Sequence, residues 1–187
     1  MKAILKNTAI LLVITVVAAS ALSFVYELTK EPIAIAEQQK KIEAYQAVYA
    51  SAASFGEIAD SNSILKKYNA TLEGAAVTEV LSADAADGTR LGYVFTVTSN
   101  GYGGEIQFAY GVDVSGTVVG YDVISHSETP GYGAKCTDGF VREQFPGLTE
   151  AGQLDGITGA TKTTNAMRRS VQAVIDLTKQ LEGGSPQ

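Results

Sequence analysis

Residues 91–112 read LGYVFTVTSNGYGGEIQFAYGV, two aromatic and β-branched runs on either side of a glycine-dense stretch. Segments 91–98 and 105–112 have the composition of strands. Residues 99–104 (SNGYGG) between them offer glycines where the chain must turn or approach another backbone closely. Working outward, residues 117–125 (TVVGYDVIS) supply a third strand through a hairpin turn at 112–117, and residues 76–81 a further one. The pattern predicts an antiparallel meander of four or more strands.

Helical periodicity frames this sheet. From residue 163 to 181, Met167, Val171, Val174 and Leu181 fall on one stripe, with Arg168, Arg169, Asp176 and Lys179 on other faces. Residues 138–145 suit a short helix, with Asp138 as N-cap and Pro146 after its end. On the N-terminal side, Glu31-Pro32 suits a helix start. In the helix over 33–50 that follows, Ile42, Tyr45, Val48 and Tyr49 form the apolar stripe and Gln38, Lys40 and Lys41 face away. The fold class expected is α+β, a mostly antiparallel sheet with flanking helices. The tail from Gly183 to the end is expected to fray.

Residues 8–26 (TAILLVITVVAASALSFVY) form a run of 19 without a charge. A bilayer core needs about 20 apolar residues in a helix, so the run is long enough to span. Tyr26 at its end and Lys30 just beyond suit the headgroup region. Ala19-Ser20-Ala21 also matches a signal-peptidase pattern. The anchor is the preferred reading, because the apolar run continues through Leu22, Phe24 and Val25. Lys2, Lys6 and the amino terminus favour a cytoplasmic N-terminus, with Lys30, Lys40 and Lys41 diluting the asymmetry. The expected division is a stub and transmembrane anchor (1–30), an amphipathic helical connector (31–60) and an extracytoplasmic domain (61–187).

Composition excludes several functions. A net charge of −6 lacks the basic footprint that nucleic acid requires. One cysteine, Cys136, and one histidine, His126, make neither an internal disulfide nor a metal-ligand cluster. They read as a buried structural thiol and a loop histidine. No catalytic constellation of paired carboxylates is legible, so redox work requires an organic cofactor.

The segment that carries chemistry is 155–161, DGITGAT, followed by Lys162-Thr163-Thr164. Physically it is a hydroxyl-rich, glycine-containing turn opening a helix, where free N–H groups and the helix dipole favour a phosphate. Ordinary helix capping by a threonine or asparagine reads the same residues equally well. Lys162 follows Thr161 rather than a glycine, which departs from a nucleoside-triphosphate loop.

Asp155, Gly156, Thr158, Gly159, Ala160 and Thr161 resemble, position by position, the flavinylation motif of FMN-binding proteins. Residues 128–133 (ETPGYG) are similar to a second loop of that domain, and residues 101–106 (GYGGEI) to a third segment. With the anchor and the following residues 27–33 (ELTKEPI), the layout resembles the G subunit of Rnf-type ferredoxin–NAD electron-transfer complexes. Residues 50–90 carry no such motif, and Tyr132 stands where leucine is expected.

The resemblance implies FMN joined through its phosphate to Thr161, attached by a flavin transferase that uses FAD. Glu128, Thr129, Gly131, Tyr132 and Gly133 would line the isoalloxazine, with Thr129 offering a hydrogen bond and Tyr132 a stacking surface. Thr158, Gly159, Ala160 and Thr164 would complete the site, Lys162 or Lys135 would supplement the phosphate contacts, and Asp155 would order the loop or be read by the transferase. The implied role is a single-electron relay in the cytoplasmic membrane, with the C-terminal domain outside, beside a D subunit and iron–sulfur subunits, in a complex coupling electron transfer to Na+ or H+ transport. Two other readings stay open: the C subunit of sodium-pumping NADH:quinone reductases, expected to be longer, and a membrane-tethered binding module that is never flavinylated.

Overall fold

The computed structural model describes residues 2–183. Residue 1 and the tail from 184, on which the N-terminal charge and the expected fraying fall, lie outside them. The element order is α1 (Lys2–Val48), β1 (Ser54–Glu57), α2 (Ser61–Asn69), β2 (Ala75–Asp84), β3 (Arg90–Asn100), β4 (Glu105–Asp113), β5 (Val118–Ser125), α3 (Gly139–Arg142) and α4 (Thr161–Glu182). Two compact units divide at Lys40/Lys41.

In the first unit, α1 carries the apolar run, and every side chain from residue 6 to 40 is exposed. A helix whose whole apolar surface is unpacked suits a hydrocarbon solvent, since its backbone groups are satisfied internally. Pro32 lies inside α1 instead of opening a new helix. Proline lacks the N–H for the i−4 carbonyl, yet here the helical path continues through it.

The second unit is built on an antiparallel meander in the order β1-β2-β3-β4-β5. Strand β3 is buried on both faces because its side chains alternate. Tyr93, Phe95 and Val97 join the main core with Phe108, Tyr110 and Tyr121, while Val94 joins a second cluster with Ala109 and the end of α1. Helix α4 covers the main core with Ala166, Met167, Val171 and Val174, all fully buried. Met167, Val171 and Val174 each contribute about 1.5–3 kcal/mol of burial. The buried hydroxyls of Ser170 and Thr178 donate to the carbonyls of Ala166 and Val174, both at 2.8 Å, so they cost the core no unpaired group.

Residues 31–60, expected as a helical connector, include the end of α1 and strand β1. On the α1 end Ala44, Tyr45, Val48 and Tyr49 face the sheet, whereas Ile42 is 48 % exposed. Lys41, expected to face away, instead pairs with Glu79 on β2, and the Tyr45 hydroxyl bridges Glu79 (2.7 Å) and Thr96 (2.6 Å). Ala44 thus takes the place expected for Ile42 on the buried stripe. Strand β1 and helix α2 are not legible in the sequence. The Asn69 side chain at the end of α2 donates to the Val77 carbonyl and accepts from its N–H, both at 2.8 Å, next to a bulge in β2. Asp138 precedes α3 as expected, but its side chain makes no capping bond.

Candidate functional site

Helix α4 begins at Thr161, two residues earlier than its apolar stripe suggests. Ala160 occupies the N-cap and no side chain caps the helix, so the ordinary capping reading of this segment is not the one adopted. Thr164 is the first residue whose N–H finds a helical acceptor, the Ala160 carbonyl at 2.9 Å. The N–H groups of Thr161, Lys162 and Thr163 are left for an outside partner, at the positive end of the helix dipole.

Local chemistry shapes the approach to this helix. Ala160 N–H closes a turn onto the Ile157 carbonyl at 3.0 Å, with Gly159 at φ 80°. Beneath it the Thr164 hydroxyl accepts from Ile157 N–H (3.0 Å) and donates to the Ala160 carbonyl (3.1 Å). Thr164 is thus a buried bracket that holds the turn, and Thr161 is exposed above it. The Asp155 N–H is held by Gln144 Oε1 at 2.9 Å, fixing the start of the segment.

A second turn faces the first. Tyr132 N–H donates to the Thr129 carbonyl at 3.2 Å around Pro130 and Gly131, the latter at φ 79°. Proline then glycine at the two central positions is the chemistry of a type II turn. It leaves Tyr132 59 % exposed, and a Cβ built on Gly159 would lie 3.3 Å from its ring.

Glu128 fastens these turns to the sheet. It is 5 % exposed; Oε1 accepts the N–H groups of Tyr102 (2.8 Å) and Gly103 (2.9 Å), and Oε2 accepts the Thr163 hydroxyl (2.6 Å). A buried carboxylate is tolerated where charge-assisted hydrogen bonds replace its water. Three segments distant in sequence, the β3–β4 loop, the 128–133 loop and the start of α4, therefore meet on one side chain. Glycine is required where they meet: a Cβ on Gly133 would strike Glu128 Oε2 and approach Thr163 Oγ1 to 2.7 Å.

The result is a cavity of about 550 Å³. Its walls include Glu128, Thr129, Tyr132 and Gly133 from one loop and Gly159, Ala160 and Thr161 from the other. Tyr102, Lys162 and Thr163 complete it; Tyr102 and Thr163 are not among the site residues expected from the sequence. Tyr102 lies within the 101–106 segment, and Thr163 follows the 155–161 motif closely. Three expected residues lie off the walls: Gly131 forms the turn, Thr158 is exposed, and Thr164 is the bracket below.

Other candidates fall outside the cavity. His126 Nδ1 accepts Glu128 N–H at 3.2 Å, ordering the loop. Cys136 is fully buried, and burial, with the Glu128 charge adding to it, pushes its thiol up to about 11, so it is held as an unreactive neutral group. Lys135 is half-buried and is not among the wall residues.

A family model described as FMN-binding domain matches residues 101–176, which contain the whole cavity. Fold and site together define a membrane-anchored protein with an FMN-binding domain. A model described as the RnfG N-terminal region matches residues 1–48. The chain is 30% identical over 197 residues to the G subunit of the Na(+)-translocating ferredoxin:NAD(+) oxidoreductase complex of Acetobacterium woodii, covering 96% of this chain and 94% of that one. The chain belongs to the G subunit family of Rnf-type ion-translocating oxidoreductase complexes. It is also 29% identical over 191 residues to the G subunit of the ion-translocating oxidoreductase complex of Methanosarcina acetivorans, covering 97% of this chain and 98% of that one. Among solved structures, NqrC of Shewanella oneidensis shares the fold, with a TM-score of 0.53 at 16% identity over 79% of this chain and 100% of that one. Membership of the family makes the chain one subunit of a larger oxidoreductase complex.

Proposed function

We propose that this chain is the electron-transfer subunit of an Rnf-type complex that couples ferredoxin–NAD electron transfer to Na+ or H+ transport, and that it carries FMN covalently on Thr161. The observation that supports the attachment is the exposed Thr161 hydroxyl at the first helical position, beside three N–H groups free of helical acceptors and a cavity walled by two tyrosine rings. An FMN phosphodiester fits this donor set: its remaining negative charge suits a helix N-terminus, and a flat aromatic ring suits Tyr132. When bound, the flavin supplies one- and two-electron chemistry that no protein side chain here offers.

Attachment is assigned to a flavin transferase using FAD. The Thr161 oxygen forms a new P–O bond, the pyrophosphate bond of FAD breaks, AMP leaves, and the hydroxyl proton passes to the transferase or solvent. Thr161 is then an anchor point with no catalytic part of its own. Glu128, Thr129, Gly131, Tyr132, Gly133, Thr158, Gly159, Ala160 and Thr164 hold or shape the cofactor's surroundings. Glu128, Gly131 and Thr164 do so from behind, by fixing the two turns.

In this reading, residues 1–30 are the stub and anchor in the cytoplasmic membrane, 31–60 the connector, which also contributes β1, and 61–187 the extracytoplasmic domain. The partners are a D subunit and iron–sulfur subunits of the same complex. Tethering keeps the site filled where free FMN is scarce. The test is the full chain from host membranes, analysed by intact mass and in-gel flavin fluorescence under denaturing conditions, with Thr161→Ala alongside. A fluorescent band with the added mass of an FMN residue, absent in the variant, is expected. A dark band of unmodified mass, with the transferase present, overturns the assignment.

A further inference from the structure

Two charged side chains line the cavity among the described residues, Glu128 and Lys162, and they are held in opposite ways. Glu128 is buried and its oxygens are occupied by three protein donors. Lys162 is exposed, and among the described residues no carboxylate lies within ion-pair distance of it. Its Nζ instead sits 5.5 Å from the centroid of the Tyr102 ring. A cation over an aromatic face is attracted by the ring's negative π surface. The ring belongs to the β3–β4 loop and the lysine to the first turn of α4, so the contact spans two walls and favours a place for the positive charge over the ring.

The N–H groups of Thr161, Lys162 and Thr163 are donors available to the phosphate at the helix start, which leaves the Lys162 side chain open to a second role. We propose that Lys162, held by the Tyr102 ring, sets the redox potential of the flavin by keeping a positive charge at the cavity wall. The proposal rests on the reading of Thr161 as the FMN attachment point. Two electrons from an iron–sulfur or flavin centre of a neighbouring subunit, with one proton from solvent, turn a neutral oxidised isoalloxazine into an anion. A fixed cation favours that reduced form and raises the potential. Lys162 forms no bond in this step. Tyr102 is a positioning residue, acting through the lysine.

The experiment is a spectroelectrochemical titration of the full-length flavinylated chain in detergent, for wild type, Lys162→Gln, Tyr102→Phe, Tyr102→Leu and the Tyr102→Leu/Lys162→Gln pair. Lys162→Gln is expected to lower the midpoint potential at unchanged covalent flavin content, with a shift that shrinks at high salt. Tyr102→Phe keeps a ring under the lysine and should leave the potential near wild type. Tyr102→Leu should lower it, with less than additive effect in the pair, because each change removes the same interaction. A flavin-loaded Lys162→Gln chain with wild-type potential overturns the proposal, as do additive effects in the pair. Loss of flavin from Lys162→Gln with retention in Lys162→Arg assigns the lysine to attachment and also overturns it. A wild-type chain without covalent flavin overturns the attachment reading and this one together, and is seen before any potential is measured.

Discussion

The Thr163 hydroxyl donates to Glu128 Oε2 at 2.6 Å, joining residues 35 apart in the chain beneath the cavity floor. The same carboxylate holds the Tyr102 and Gly103 N–H groups, so it fixes both the helix start and the loop facing it.

Removing this carboxylate should loosen the whole site. Glu128→Ala leaves two N–H donors and one hydroxyl without their acceptor. The adjoining cavity lets water reach them, so the cost falls at the low end for buried charged hydrogen bonds, about 2 kcal/mol. Thermal unfolding of the full chain should show that loss, with Glu128→Gln intermediate. Equal stability of Glu128→Ala and wild type would mean the three bonds contribute nothing.

Gly131 and Gly133 are two residues apart and should respond differently to alanine. A Cβ on Gly131 meets nothing within 4 Å, and only its φ of 79° opposes the change. That strain costs about 1–2 kcal/mol. At Gly133 the Cβ collides with Glu128 Oε2, so Gly133→Ala must displace the carboxylate and open the Thr163 contact. The expected result is a larger stability loss for Gly133→Ala, together with reduced flavin content. The reverse order in denaturant midpoints contradicts the geometry.

Tyr45 and Lys41 both reach Glu79, yet they should not matter equally. Lys41 and Glu79 are about one-third exposed (33% and 35%), and such pairs are screened. Lys41→Met should change stability by no more than about 0.5 kcal/mol. The Tyr45 hydroxyl lies between Glu79 and the buried Thr96, so Tyr45→Phe strands the threonine and should cost about 1–2 kcal/mol. Urea midpoints of the two variants decide the ranking.

Alkali should weaken the domain, because the unfolded chain gives up two protons that the folded one retains. Burial, with the Glu128 charge adding, moves the Cys136 thiol from 9.0 to about 11; burial, with the Asp176 charge adding, moves the Tyr68 phenol from 10.0 to about 12. Both groups bind their proton more tightly when folded, so their contribution is full below pH 9 and is lost as pH rises through 9–11 for the thiol and 10–12 for the phenol. Denaturant midpoints against pH should fall across that window, and Cys136→Ala and Tyr68→Phe should each flatten part of the fall. A midpoint that does not change up to pH 12 would falsify the assignment.

Much of the fold was legible because its signals are local. The aromatic and β-branched composition of residues 91–98 and 105–112, the glycines between them and the period of α4 each follow from neighbouring side chains. Strand β1 and helix α2 were not legible, because β1 is four residues long and α2 depends on Asn69 and Tyr68 reaching Val77 and Ala173. Likewise the inward turn of Lys41 depends on Glu79, 38 residues away.

The site divides along the same line. The sequence by itself determined the chemistry offered: a threonine after DGITGA, a Pro-Gly turn before Tyr132, glycines wherever backbone must pass closely, and an apolar run long enough to span a bilayer. Only the tertiary structure decided that Glu128 looks inward to three donors instead of outward to a ligand, that Thr164 is a bracket, and that Tyr102 and Lys162 meet at the cavity. The physical reason is that residue type and spacing set which groups a segment carries. Which of those groups are satisfied by one another, and which remain for a cofactor, depends on partners brought together across the sheet.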